Sequence, residues 1–143
     1  MQEQNAADGT DNRSLQTVLV VDDDENWKYI SRKMLKRAGV KEEHIATAKN
    51  GAEALDLLHG LVEKGQPLPA VVLLDIKMPV LDGFGFLKEI NNSETVDLSQ
   101  TKIYLCSSSF HSADREKASH YPITGFLNKP LSNELIQQVL APM

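Results

Sequence analysis

Five side chains with ionic or hydrogen-bonding chemistry stand at the ends of apolar runs in this 143-residue chain. Asp22 and Asp23 follow Val18 to Val21, Asp75 closes "AVVLLD", Ser107 closes "KIYLCS", and Lys129 closes "ITGFLNK". Three carboxylates gathered at one place would raise one another's pKa and cost stability unless a cation or a proton offset them. An all-oxygen ligand set with open coordination positions suits Mg²⁺ better than Zn²⁺. A carboxylate nucleophile, a divalent cation, a hydroxyl and a lysine are together what phosphoryl transfer to an aspartate requires, because positioning and charge neutralisation catalyse that reaction. On this reading Asp75 is the acceptor.

That chemistry depends on elements able to bring the five residues together. "VLVV" is a short β-branched run that ends in acids, as a buried strand entering a loop would. Trp27, Ile30, Met34 and Ala38 recur at helical spacing, with Gly39 as the stop. "HIATAKN" reads as a second strand, and Ala54, Leu57, Leu58 and Leu61 mark a second helix ended by Pro67 and Pro69. "AVVLLD" is the third strand, "GFGFLKEI" the third helix, and "NNSETVDLSQ" a polar loop. "KIYLCSSS" is the fourth strand, "HSADREKASH" a polar helix capped by Ser112 with Glu116 nearby, and "ITGFLNK" the fifth strand. Pro130 opens the last helix, "PLSNELIQQVL", whose Leu131, Leu135, Ile136 and Val139 are its apolar positions. Five strands alternating with five helices predict an α/β fold: a doubly wound parallel sheet, flavodoxin-like, in the order 2-1-3-4-5. In such a sheet ligands sit beyond the carboxyl ends of the strands where the order reverses, between strands 1 and 3, where the acids lie.

Composition sets bounds on function. With 41% hydrophobic residues the chain suits one domain, here residues 17–143, preceded by an arm over 1–16 too polar to offset its own ordering. A formal charge of −5 argues against direct nucleic-acid binding or general attraction to anionic lipid. Cys106 is the single cysteine and reads as buried packing, the start has no signal-peptide pattern, and no apolar run approaches bilayer length. A cytoplasmic protein without membrane insertion is expected. The four histidines show no metal-ligand spacing.

"VLVVDDDEN", "LLDIKMPVLDG", a serine ending strand 4 and "FLNKP" together resemble the signature of response-regulator receiver domains of two-component signalling, over about Thr17 to Met143. The resemblance implies that Asp75 is phosphorylated by a histidine kinase or histidine phosphotransfer partner. Asp22, Asp23 and Asp75 would hold Mg²⁺ with the backbone carbonyl of Lys77, and Ser107 and Lys129 would bind the phosphoryl group. Phe126 falls where the family has an aromatic that rotates on phosphorylation, many relatives having Tyr. Pro130 implies a cis peptide after Lys129. The resemblance also implies that a chain stopping after the fifth helix signals through a downstream protein target, docking on the fourth helix, fifth strand and fifth helix. The stretch from Glu63 to Pro69 and "SHYPITGF" depart from the compact family pattern.

Blander readings compete for each residue. Asp22 and Asp23 could cap the first helix, worth about 0.5 to 2 kcal/mol. Asp75 could be a polar loop residue, Ser107 could satisfy a loop amide, Lys129 could be solvated, and Phe126 is as readily packing as switch. Trp27 reads as core, placed where its fluorescence would sense Mg²⁺. Two other classes of function remain: a receiver-like binding module independent of phosphorylation, and a haloacid-dehalogenase-type phosphohydrolase. The latter looks for a second Asp two positions after its nucleophile, where this chain has Lys77.

Overall fold

The computed structural model describes residues 16–141. Except for Gln16, the arm read over residues 1–16 lies outside the described residues, as do the last two positions of the domain. In chain order the elements are β1 (Val18–Val21), α1 (Glu25–Arg37), β2 (Ile45–Ala48), α2 (Gly51–Glu63), β3 (Val71–Asp75), α3 (Gly83–Asn91), β4 (Lys102–Ser107), α4 (Ser112–Ala118), β5 (Gly125–Asn128) and α5 (Asn133–Leu140). The strands form one parallel sheet in the order β2-β1-β3-β4-β5, as the sequence predicts.

Strand alternation sorts the core into two layers. Val18 and Val20 of β1 pack with Trp27 and Leu35 of α1 and Ile136, Val139 and Leu140 of α5. Leu19 and Val21 face the other way, onto Ala54 and Leu58 of α2, Phe86 and Leu87 of α3 and Ala118 of α4. All four β1 residues are at most 1% exposed, which explains why that strand reads as a continuous apolar run.

Local chemistry sets the helix ends. Asp24 caps α1, its Oδ1 accepting from the amides of Asn26 and Trp27 at 2.9 and 3.2 Å. At the other end Gly39, with φ of 109°, lets Val40 N–H reach Leu35 O at 3.0 Å and closes the helix in a Schellman motif. Asn50, Asp82 and Ser132 cap α2, α3 and α5 through side-chain oxygens. Two expected helix starts are corrected. Ser112 is the first helical residue of α4, and the turn is closed by Asp114 Oδ2 accepting from His111 N–H at 2.9 Å. Likewise α5 begins at Asn133 rather than at Pro130, because the Ser132 hydroxyl accepts from Leu135 N–H and fixes the first turn there. The end of α5 is held from the sheet: Lys102 Nζ donates to Val139 O and Ala141 O, and Gln16 Nε2 to Leu140 O.

Candidate functional site

The register of the sheet builds the site. Val21 of β1 stands beside Leu74 of β3, so the next residues, Asp22 and Asp75, leave the sheet at the same level. Alternation also puts Asp22 on the side of Val18 and Val20, Asp75 on the side of Val71 and Leu73, and Lys129 on the side of Leu127. All three therefore fall on the α1/α5 side of the sheet. Asp22, Asp23 and Asp75 each offer a carboxylate oxygen, and these oxygens lie within 4.8 Å of one another.

The Lys129 ammonium enters this cluster. It donates to Asp22 Oδ2 at 2.5 Å, stands 3.5 Å from Asp75 Oδ1, and lies 5.1 Å from the centroid of the Trp27 ring. Lys129 N–H also donates to Ser107 O at 2.9 Å, which ties the β5 end to β4. The Lys129–Pro130 peptide bond is cis. The side chains of Asp22, Asp75 and Lys129 are only 2%, 12% and 16% exposed, whereas Asp23 is exposed. Three carboxylates face one ammonium, and this residual negative charge in a poorly solvated pocket fits an oxygen-seeking divalent cation.

The electrostatics follow from that crowding. Burial, reinforced by the Asp22 charge, pushes the Asp75 carboxyl up to about 6, against the opposing pull of Lys129 and the Ile76 amide. For Lys129, burial alone would disfavour the ammonium. Its hydrogen bond to Asp22 and the charges of Asp22 and Asp75 outweigh that and leave the group above its ordinary value. Cys106, paired with Asp75 in the register, is buried and its thiol is pushed up to about 12, an unreactive packing residue as read from the sequence.

The cap reading for the acidic pair gives way to Asp24. Asp22 Oδ1 accepts from Asp24 N–H at 2.9 Å, which holds the entrance to α1, while the orphan amides of the helix are served by Asp24 itself. Composition hid this division of labour, because three consecutive aspartates look alike.

Ser107 and Phe126 belong to the other side. Both alternate with Leu105 onto the α3/α4 layer. The Ser107 hydroxyl donates to Ser109 O at 2.9 Å and accepts from Ser109 N–H at 3.1 Å, a local loop contact. Phe126 meets Phe110 edge to face at 5.2 Å, and the Arg115 guanidinium of α4 covers the Phe126 ring at 4.5 Å. Lys77 is exposed on the loop after β3. That loop doubles back closely: Gly83 N–H donates to Ile76 O at 2.9 Å, and a Cβ on Gly83 would stand 2.5 Å from Asp75 O. Sequence reading missed Asp24, Gly83, Arg115 and the Trp27 contact to Lys129. Of these only the glycine carried a signal, within "LDG".

Comparison with known proteins gives a consistent answer. The family described as response regulator receiver domain matches residues 18–141. A sensor histidine kinase, CheAY of Helicobacter pylori, is 29% identical over 123 residues, covering 86% of this chain and 14% of the kinase. A probable transcriptional regulator, ycf27 of Guillardia theta, is 40% identical over 81 residues, covering 57% of this chain and 28% of the regulator. The crystal structure of a two-component response regulator from Legionella pneumophila superposes with a TM-score of 0.74 at 26% identity, over 87% of this chain and 94% of that one. The chain thus spans a minor part of those two sequence relatives and nearly the whole of the structural one. Among the described residues, no helix is long and apolar enough to cross a membrane.

Proposed function

Because this chain belongs to the response regulator receiver domain family, we propose that it is a phosphorylation-controlled switch in which Asp75 accepts a phosphoryl group from the phosphohistidine of a histidine kinase or phosphotransfer protein. The observation that carries this reading is the gathering of Asp22, Asp23 and Asp75 within 4.8 Å around the Lys129 ammonium at the carboxyl ends of β1 and β3.

A carboxylate oxygen of Asp75 attacks the donor phosphorus. The new P–O bond makes an acyl phosphate as the P–N bond breaks, and the imidazole nitrogen keeps the electron pair and takes a proton. Asp22, Asp23 and Asp75, with the carbonyl of Lys77, would hold Mg²⁺, which supplies charge neutralisation to the transferring oxygens. Lys129 already contacts Asp75 and is placed to follow the charge from carboxylate to phosphoryl oxygen. Ser107 leaves its contact with Ser109 to donate to the phosphoryl group, and Phe126 repacks against Phe110 and Arg115 as that loop moves. The output is contact with a downstream protein target from the cytoplasm, without direct nucleic-acid binding or membrane insertion. The protein turns over no external substrate.

Intact mass after incubation with Mg²⁺ and acetyl phosphate tests the reading. Wild type is expected to gain one labile phosphoryl group, and Asp75→Ala or a metal-free sample none. Absence of any gain, where another receiver is labelled, would refute small-donor phosphorylation and favour a phosphorylation-independent module.

A further inference from the structure

Four contacts close a circuit at the first turn of α1. Asp22 Oδ1 accepts from Asp24 N–H at 2.9 Å, and Asp24 Oδ1 accepts from Trp27 N–H at 3.2 Å. The Trp27 ring then lies 5.1 Å from the Lys129 ammonium, which returns to Asp22 by donating to Oδ2. The cap that starts the helix therefore also sets the indole in place. In the pairs Lys33 over Tyr29, Arg115 over Phe126 and Lys117 over Phe84, the cation belongs to an exposed residue. Lys129 differs, because its side chain is 16% exposed and the Trp27 beneath it 8%. Little water competes for the ammonium there, so the contact falls at the stronger end of its kind, and indole is the best of the rings for it.

The two partners of the ammonium differ in kind. Asp22 is one of the three carboxylates gathered to hold a divalent cation, so its oxygens are shared between that cation and Lys129. The hold of Asp22 on the lysine weakens to the extent that it serves the metal. An indole face offers no oxygen to such a cation and is not drawn into the competition. Lys129 stands 3.5 Å from Asp75 Oδ1, close to where the transferred group must arrive. Without a second anchor its long flexible stem would regain rotamer freedom just when the ammonium has to be in place, and that freedom would have to be lost again during transfer.

We infer that Trp27 is a positioning residue for phosphoryl transfer, its indole face keeping the Lys129 ammonium beside Asp75 while Asp22 serves the divalent cation. The inference rests on Asp75 being the acceptor and adds a residue that acts on the reaction through Lys129. Packing alone would ask only for a bulky apolar side chain at this position, since Trp27 also belongs to the core cluster with Val18, Leu35 and Ile136. The two roles separate by the electronic character of the ring. A core contact depends on volume and shape, whereas a cation depends on the negative face.

Trp27 is the single tryptophan, so growth on fluorinated tryptophans alters this one ring in the full chain. Fluorine draws charge from the ring face at nearly constant shape. With saturating Mg²⁺ and acetyl phosphate, the labelling rate should fall stepwise with the number of fluorines, by about tenfold at tetrafluorotryptophan. Trp27→Phe, which keeps a ring, should retain more of the rate than Trp27→Leu. In NMR spectra of the metal-free and the Mg²⁺-loaded protein, the Lys129 ε-methylene, assigned with Lys129→Arg, should be shifted upfield by the ring current. Trp27→Leu should remove that shift in both states. A labelling rate indifferent to fluorination, or a Lys129 shift that vanishes from wild type when Mg²⁺ is added, would overturn the inference. Failure of acetyl phosphate to label even the unfluorinated protein would instead remove the Asp75 acceptor on which it rests, a result told apart because the ring-current shift persists.

Discussion

Replacing Asp75 by Asn should make the metal-free protein more stable at neutral pH. In the folded chain the carboxyl is pushed up to about 6, chiefly by burial and then by Asp22, from an ordinary value of 3.8. Two units of upward shift correspond to about 3 kcal/mol favouring the protonated form in the fold. That stabilisation is fully present below pH 3.8, declines through the window up to about 6, and is absent above it, where ionised Asp75 is a liability. Asn has the same shape and no charge, so it escapes this dependence. Urea denaturation of both proteins in chelator-treated buffer, from pH 3.5 to 8, should show their stability difference moving in favour of Asn by about 2 to 3 kcal/mol as the pH rises. Added Mg²⁺ should reverse the ranking by stabilising wild type preferentially. A difference independent of pH, or one that grows in favour of wild type as pH rises without metal, would refute the electrostatic account of the pocket.

Lys129→Met leaves Asp22 almost fully buried beside two other carboxylates without its cation, and should lower stability by about 3 to 5 kcal/mol at pH 7.5 without metal. Recovery of much of that loss in millimolar Mg²⁺, followed by urea titration, checks the cause. Val80→Gly removes the β-branched side chain from φ of 70° and should raise stability by about 0.5 to 1 kcal/mol even after the entropy of glycine opposes it. A thermal melt that falls instead would show that the conformation is not strained. Trp27 is the single tryptophan and touches Lys129, so its emission should change on Mg²⁺ addition to wild type and stay constant in Asp22→Asn.

Much of this architecture was legible because the signals were local and repetitive. The runs at Val18 to Val21 and Val71 to Leu74 are buried on both faces, and that double burial is what makes a parallel strand read as continuous apolar sequence. Helix ends were less legible, since a cap depends on which of several hydroxyls or carboxylates the chain turns inward. Ser112 and Ser132 are equally good caps by type, yet the backbone assigns only Ser132 that place. The three adjacent aspartates pose the same problem, and only the register separates Asp24 at the helix from Asp22 against Lys129. Arg115 over Phe126 was invisible because the two are brought together by α4 packing on β5 rather than by any spacing along the chain.

Strand alternation also gives a physical basis for a signal crossing the domain. Asp22, Asp75 and Lys129 fall on the α1/α5 side of the sheet, whereas Ser107 and Phe126 fall on the α3/α4 side. A phosphoryl group on Asp75 would extend beyond the strand ends, the one region that residues from both sides can reach without passing through the sheet. Lys129 N–H bonded to Ser107 O already joins the two sides there. Drawing the Ser107 hydroxyl toward a new anion must break its two bonds to Ser109, and that loop leads directly to Phe110, the edge-to-face partner of Phe126. Lys129 at the pocket and the Phe110–Phe126 pair beside α4 are therefore linked by a short run of backbone. A coupling of about 1 to 3 kcal/mol, ordinary for such switches, needs no more than the exchange of those few contacts.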